Sequence, residues 1–544
     1  MEEKMKRVFC LILTLVMVWT IAGCTSSQTT AQESASTESN GSQNSTAASE
    51  NAASQDAASD LEFVKLKMIA LGDGSADSER MLTLLNEKLK ADLNCELEIE
   101  YISWSDWTTK YPLVFASGEE FDLIYTSSWA SYASQANKGA FYELTESDRQ
   151  TYMPLTCAAL GENGWNQAAI GGKVYMVPTT PQGAFVDKTC FGVRGDLMEE
   201  FGMASITTAE DMLTYWDNVL EMHPEMVPIN ITNTSSGAFG AFLARLFIDD
   251  TYSMTSGNYF PQMASEYSSS LMPTILDLTD STNIQYVDQV KADQYFITIF
   301  EKAAELQKKG YWSSDALTIT EEMDVAYKNG KSASTVRELG NIEAYNQEIL
   351  ANHPEWAPTI VRFVDKPYVS IPGLNNGMAV HATSKNPERA MMVLDLMGYD
   401  QSYYDLMHYG EEGVDFSIDE SGAVSKITSF SEASSMGFAN VTERVVATAT
   451  NVYVTMRAEA VDNSILPEAS VFTFDHSVCE TEYAAMSQVM SKYYPILSLG
   501  MAEDVEAVYY EMMVELGKAG MDVVMDEYLR QAQAFFGTQQ TGGN

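Results

Sequence analysis

Basic residues are scarce in this chain: 32 Lys and Arg stand against 76 Asp and Glu over 544 residues, a formal net charge of −44. Such a surface repels phosphate backbones, which excludes nucleic acid as a partner. It also repels anionic headgroups, so the folded surface has no electrostatic route to a membrane. Dispersed acidic groups serve solubility instead. Histidine is sparser still, and His223, His353, His381, His408 and His476 stand isolated. HExxH, GxSxG, P-loop and EF-hand spacings are all missing, so no catalytic residue, no metal site and no cofactor are expected. Acid pairs such as Glu119-Glu120 are frequent only because acids are frequent, and no glycosidase dyad can be argued from them. The turn Gly72-Asp73-Gly74-Ser75-Ala76-Asp77 follows a strand and opens a helix, the setting of a dinucleotide site. Asp77, however, stands where close helix–strand packing needs glycine, and its charge opposes a pyrophosphate. Of six cysteines, Cys10 and Cys24 are N-terminal, and Cys95, Cys157, Cys190 and Cys479 are scattered without a CxxC pair. Zinc spacing is therefore excluded, while two disulfides and four buried free thiols both stay open.

What is present begins at the N-terminus. A basic start, MEEKMKR, runs into an apolar segment, VFCLILTLVMVWTIAG, too short and wrongly flanked for a stable span. Ile21-Ala22-Gly23-Cys24 resembles the lipobox of bacterial lipoproteins, which implies cleavage before Cys24 and lipidation of its thiol. The alternatives are an ordinary secretory signal or an uncleaved anchor. Residues 1–23 are thus expected to be a signal peptide, with the remainder held at the outer face of the cytoplasmic membrane through the lipid alone. Residues 24–60 follow as a Ser/Ala/Thr-rich tether. After Cys24 it has no Lys, Arg, aromatic or large aliphatic residue, and so cannot bury enough surface to offset its ordering entropy. As a flexible coil it spans roughly 30 Å.

Patterning starts at Glu62. FVKLKMIAL reads as a buried strand, Met81, Leu82, Leu85, Leu89 and Leu93 recur at helical spacing, and CELEIEYISW alternates as a second strand. Helix YPLVFASGE and strand FDLIY continue a pattern that belongs to a parallel α/β sheet. Asn386-Pro387 reads as an N-cap with Pro at the first helical position, ahead of RAMMVLDLM. DQYFITIFEKAAELQKKG is helical and closes on lysines and Gly310. The stretch from Glu503 to Phe536 is helical with a break near Gly520. At this length the chain needs more than one core. Trp104, Trp107, Trp129, Trp165, Trp312, Tyr125 and Tyr175 fall near strand ends and loops, where rings can stack on pyranose faces or simply pack the core.

Several stretches together resemble the extracellular solute-binding proteins of bacterial ABC importers. These are FASGEEFDLIYTSSWASYASQANKGAFYELT (115–145), IGGKVYMVPTT (170–180), VRGDLMEEFGM with TTAEDML, YKNGKSAS (327–334) and GMAVHATSKNPERAMMVLDLM (377–397). They cover most of residues 61–400 in order. FTFDHSVCE, YYPILSLG and LGKAGMDVVMDEYLRQAQAF resemble a lipoprotein subgroup with a distinctive C-terminal domain. The resemblance implies an α/β, two-lobed periplasmic-binding-protein-like fold with crossover hinge strands and a cleft between the lobes. It divides the chain into lobe 1 over 61–179 and 371–435, lobe 2 over 180–370, and a C-terminal helical region over 436–544 packing on lobe 2. It also implies a monomer that binds a carbohydrate, expected to be an oligosaccharide, and delivers it to ABC permease subunits.

By position, the resemblance places the ligand at Asp73, Ser75, Thr126, Ser127, Trp129, Thr180, Gln182, Asn233, Ser235, Arg337 and Asn375. Trp129 takes the stacking role, and Asp73, Gln182 and Arg337 take polar roles. An exported glycan hydrolase, a peptide-binding protein and a binding protein reporting to a surface sensor are the alternatives.

Overall fold

The computed structural model of the chain describes residues 61–103, 106–178, 190–232, 239–248, 251–253, 256–261, 272–428, 430, 444 and 446–538. The apolar N-terminal run, Cys24 and the tether lie outside the described residues.

The apolar run after Glu62 forms β1 (Val64–Leu71), which pairs in parallel with β2 (Cys95–Ile102) and β3 (Leu123–Thr126). Between β1 and β2, the helix Ser78–Leu93 buries Met81, Leu85 and Leu89, as its spacing predicts. It ends at Asn94 in the left-handed conformation, φ 46°. Helix Trp107–Ser117 connects β2 to β3 and stops at Gly118, φ 70°. Two later segments complete this first sheet: Gly377–Val380 lies antiparallel to β3, and Val177–Pro178 pairs beyond it. Helix Pro387–Tyr399 covers the sheet with Ala390, Met391, Val393, Leu394 and Met397. Pro387 opens that helix as expected, but Asn386 makes no side-chain cap. The Asn386 N–H is instead taken by Ser384 Oγ at 3.1 Å, so a neighbouring hydroxyl supplies the turn.

A second sheet runs Thr359–Arg362, Cys190–Val193, Ser332–Arg337, Val227–Ile229. Cys190–Val193 is antiparallel to both neighbours, whereas Ser332–Arg337 and Val227–Ile229 are parallel. Its core is separate from that of the first sheet. Phe191, Trp216, Phe296 and Phe300 pack on one face, and Ile342, Ile360, Tyr453 and Met456 lie around the other. Two sheets with separate apolar cores make two α/β lobes. The return to the first sheet passes through Tyr368–Ser370 into the 3-10 turn Gly373–Asn375. Ile465 lies alongside: Ser370 donates to its carbonyl at 2.9 Å, and its N–H reaches Tyr368 O at 2.8 Å.

The C-terminal helices Glu480–Ser498, Val505–Lys518 and Met521–Thr538 break at Gly520, φ 95°, where the sequence predicts it. Their apolar faces enter the second lobe's core through Met486, Leu497, Tyr509, Met512 and Tyr528. Backbones approach so closely that a Cβ on Gly240 would lie 2.0 Å from Ser498 O. Trp312 donates its indole N–H to Leu499 O (3.0 Å), and Tyr509 donates to Asp293 Oδ1 (2.8 Å). Cys95, Cys157, Cys190 and Cys479 are free thiols; the first, third and fourth are buried and Cys157 is partly exposed, so only three of the four fit the buried-thiol reading.

Candidate functional site

In a parallel α/β sheet, the loops leaving the strand carboxyl ends converge at one edge. Here Leu71, Ile102 and Thr126 end the three parallel strands, and the loops that follow carry Asp73, Ser75 and Trp129. Gly72 (φ 125°) turns the chain out of β1, a conformation a side chain resists. Asp73 is exposed on this edge. The Ser75 hydroxyl accepts the Asp77 N–H at 3.2 Å and meets Ser78 Oγ at 3.2 Å, while Ser78 Oγ accepts the Ser75 N–H at 2.7 Å. These two serines, rather than the Asp77 side chain, shape the start of the helix.

After β3, Thr126 and Ser127 are both fully buried. Ser127 Oγ accepts the Ala130 N–H (2.8 Å), and Ser127 O accepts from Ala130 and Tyr132 (3.1 and 3.0 Å). Thr126 Oγ1 leans on Ala130 O at 3.4 Å. Their hydroxyls hold the turn and present no surface to a ligand, so the structure gives these two predicted contacts a loop-building task.

That turn delivers Trp129, which is only partly buried. Its ring meets Trp107 edge-to-face, with centroids 5.3 Å apart at 86°, and leans on Tyr125 at 5.7 Å. Its indole N–H is donated to Asn375 O at 2.9 Å. Tyr125 is buried beneath and donates to Asn376 Oδ1 at 2.7 Å, while Tyr111 donates to Tyr125 O at 2.7 Å. Burial, countered only weakly by the Ser127 hydroxyl, holds the Tyr125 phenol far above its ordinary range, so it stays a neutral donor. Gly373 is anchored by Gln167 Oε1 at 2.7 Å, and Ser128 N–H reaches Leu374 O at 3.0 Å. The result is an indole platform, Trp107 with Trp129, fastened to the return crossing. Tyr101, near the end of β2, lies beside the turn after β1: a Cβ on Gly74 would touch its ring at 3.6 Å.

Asp73, Ser75, Trp129 and Asn375 therefore share one sheet edge, although Asn375 contributes its backbone carbonyl to Trp129. Arg337 belongs to the other sheet, ending the strand Ser332–Arg337 beside Tyr345. Burial pushes the Tyr345 hydroxyl up to about 12, and the Arg337 guanidinium pulls the other way. Thr180, Gln182, Asn233 and Ser235 lie outside the described residues, as does Trp104. Trp107 was legible as a strand-end aromatic but not as Trp129's partner, and Tyr101 gave no signal beyond its place in a strand. Trp165 and Trp312 are core: Trp165 lies beneath the Arg149 guanidinium, and Trp312 is tied to Leu499.

This geometry can be set against known proteins. Residues 468–536 match the family described as Domain of unknown function (DUF3502). A curated relative from Streptococcus pneumoniae, a carbohydrate ABC transporter substrate-binding protein, is 23% identical over 359 residues. The match spans 64% of this chain and 64% of that relative's length. The N-glycan transport solute-binding protein of S. pneumoniae, solved with Man5GlcNAc, superposes with a TM-score of 0.66 at 19% identity, over 88% of this chain and 99% of that one. The chain has the two-lobed solute-binding-protein fold. Two further structures share this solute-binding-protein fold at lower similarity. The S. pneumoniae substrate-binding protein FusA, with fructo-nystose, has TM-score 0.56 and 14% identity over 88% and 100% of the two chains. An HMO-binding solute-binding protein of Bifidobacterium longum infantis has TM-score 0.56 and 12% identity over 87% and 98%. The family resemblance and the fold read from the sequence are both borne out.

Proposed function

We propose that this protein captures an oligosaccharide between its two lobes and delivers it to an ABC importer. The observation that carries the proposal is the Trp107–Trp129 platform at the carboxyl edge of the parallel sheet. An indole face offers a broad apolar plane to the C–H face of a pyranose ring, and exposed polar groups on the rim then take its hydroxyls. Asp73, exposed on the same edge, and the half-buried Arg337 on the second lobe supply such groups, with Gln182, Thr180, Asn233 and Ser235 as further contacts. A sugar touching both lobes favours the closed population over the open one, which is the signal a permease reads. The ligands named for the similar proteins, Man5GlcNAc, fructo-nystose and HMO, are all oligosaccharides and support the class.

The same reading includes export, lipidation at Cys24, a tether over 25–60, a monomeric state and a binding rather than catalytic role. The test is calorimetry and thermal shift against oligosaccharides, monosaccharides and peptides. A ligand at about 100 times its Kd stabilises by about 2.7 kcal/mol. Stabilisation by oligosaccharides with no bond cleavage supports the proposal. Stabilisation by peptides alone, or glycan hydrolysis at catalytic rates, overturns it.

A further inference from the structure

The C-terminal region matched to the domain of unknown function is built into lobe 2, yet it also reaches lobe 1. Its helices share lobe 2's core, with Tyr509 on Asp293, Trp312 on Leu499 and Tyr286 on Met525 O at 2.9 Å. Ahead of those helices, residues 468–479 form two 3-10 turns, Glu468–Val471 and His476–Cys479. Val471 packs against the core of lobe 1. Asp475 is clamped from behind: its N–H is donated to Gln531 Oε1 (2.9 Å), and its carbonyl accepts from Gln531 Nε2 (2.7 Å). So held, its carboxylate accepts from Asn137 Nδ2 of lobe 1 at 2.7 Å. One turn further on, Glu480 pairs with Lys138 of lobe 1 at 2.9 Å.

Asn137 ends the short helix Tyr132–Asn137, and Lys138 caps it. Ser131 (φ 62°) joins the start of that helix to the turn carrying Trp129. The segment 127–138 therefore presents the aromatic platform at one end and the contact with the C-terminal region at the other. The contacts at Asn137 and Lys138 are ties between the lobes in addition to the chain crossings, and each added tie restrains how the lobes can rotate.

We infer that residues 468–536 form an interlobe strap, a rigid extension of lobe 2 that grips lobe 1 at Asn137 and Lys138 and sets how far the lobes swing. The strap rests on the proposed binding role for its bearing on ligand affinity, but its mechanical part stands apart from that role. Asp475 and Glu480 are then positioning residues for Trp129, acting through the helix between them.

The test measures interlobe distance without sugar. Nitroxides at Glu87→Cys on lobe 1 and Glu301→Cys on lobe 2, with Cys157→Ser, report it by double electron–electron resonance in the full chain in detergent. Lys138→Glu places two carboxylates face to face and should broaden or shift the distance distribution. Lys138→Glu combined with Glu480→Lys should restore it. For an oligosaccharide that binds the wild type, affinity should fall at least threefold in the single variant and recover in the swap. Unchanged near-UV circular dichroism shows that both lobes stay packed. An unaltered distribution in the Asn137→Ala, Lys138→Glu double variant overturns the strap. Failure of every sugar to bind the wild type overturns the binding role, and the distance measurement then decides the strap by itself.

Discussion

Replacing Trp129 with Ala separates a binding surface from a packing contact. The ring makes one edge-to-face contact with Trp107 and a second, tilted one with Tyr125, and it donates one hydrogen bond to Asn375 O. Aromatic pairs contribute about 0.5–1.5 kcal/mol beyond their buried area, and a neutral hydrogen bond contributes about 1 kcal/mol net. Because the ring is only partly buried, Trp129→Ala should cost about 2–3 kcal/mol of stability, tolerable for a protein with two large cores. The effect on binding should be of similar size, since an aromatic anchor in a ligand site carries about 1–3 kcal/mol. That corresponds to roughly a 5- to 150-fold rise in Kd, readable by isothermal titration calorimetry with the best-binding oligosaccharide. Trp129→Phe keeps an aromatic face but loses the indole donor and part of the ring area, so it should retain more affinity than Trp129→Ala. Trp165→Phe is the control: Trp165 is buried against Arg149, and its variant should lose stability without losing affinity. A folded Trp129→Ala protein that binds the same sugar within twofold of wild type refutes the stacking argument.

Gly240→Ala forces a Cβ to within 2.0 Å of Ser498 O, a backbone atom that cannot rotate away. It should destabilise lobe 2 by about 3 kcal/mol or more and raise hydrogen exchange selectively in the helices after Glu480. The Arg80 guanidinium at 2.6 Å holds the Asp415 carboxyl down to about 2, helped by the Glu411 N–H and the Thr428 hydroxyl. A depressed carboxyl contributes stability above its ordinary value near 4 and loses it as pH falls toward 2. With Arg80 partly exposed, that contribution is about 1 kcal/mol. Asp415→Asn should lower the urea midpoint at pH 7 and converge with wild type near pH 2. Burial pushes the Cys95 and Cys479 thiols up to about 11, so Ellman's reagent should react slowly with these two in the native protein and rapidly in urea.

The alternation of β1, helix Ser78–Leu93, β2 and β3 was legible because periods of about two and 3.6 residues are local properties of the chain. The break at Gly520 and the proline at the start of Pro387–Tyr399 were legible for the same reason. The aromatic loop was found through its place after a strand, but the separate duties of its residues were not. Thr126 and Ser127 look like exposed polar contacts in a loop until the turn closes on Ala130 and buries them. Asn375 looks like a side-chain contact until its carbonyl is seen holding Trp129.

Composition and patterning alone determined that the chain is strongly acidic, that it builds α/β layers, and that its last helices are amphipathic. Those properties depend on charge and on neighbours a few residues apart. Only the tertiary structure decided which tryptophans are core and which form a platform, because Trp165, Trp312, Trp107 and Trp129 differ in what distant segments bring against them. It likewise decided that the C-terminal helices complete lobe 2 while Asp475 and Glu480 reach across to lobe 1, contacts that join residues more than 300 positions apart. Burial is a sum over such distant partners, and no local pattern encodes it.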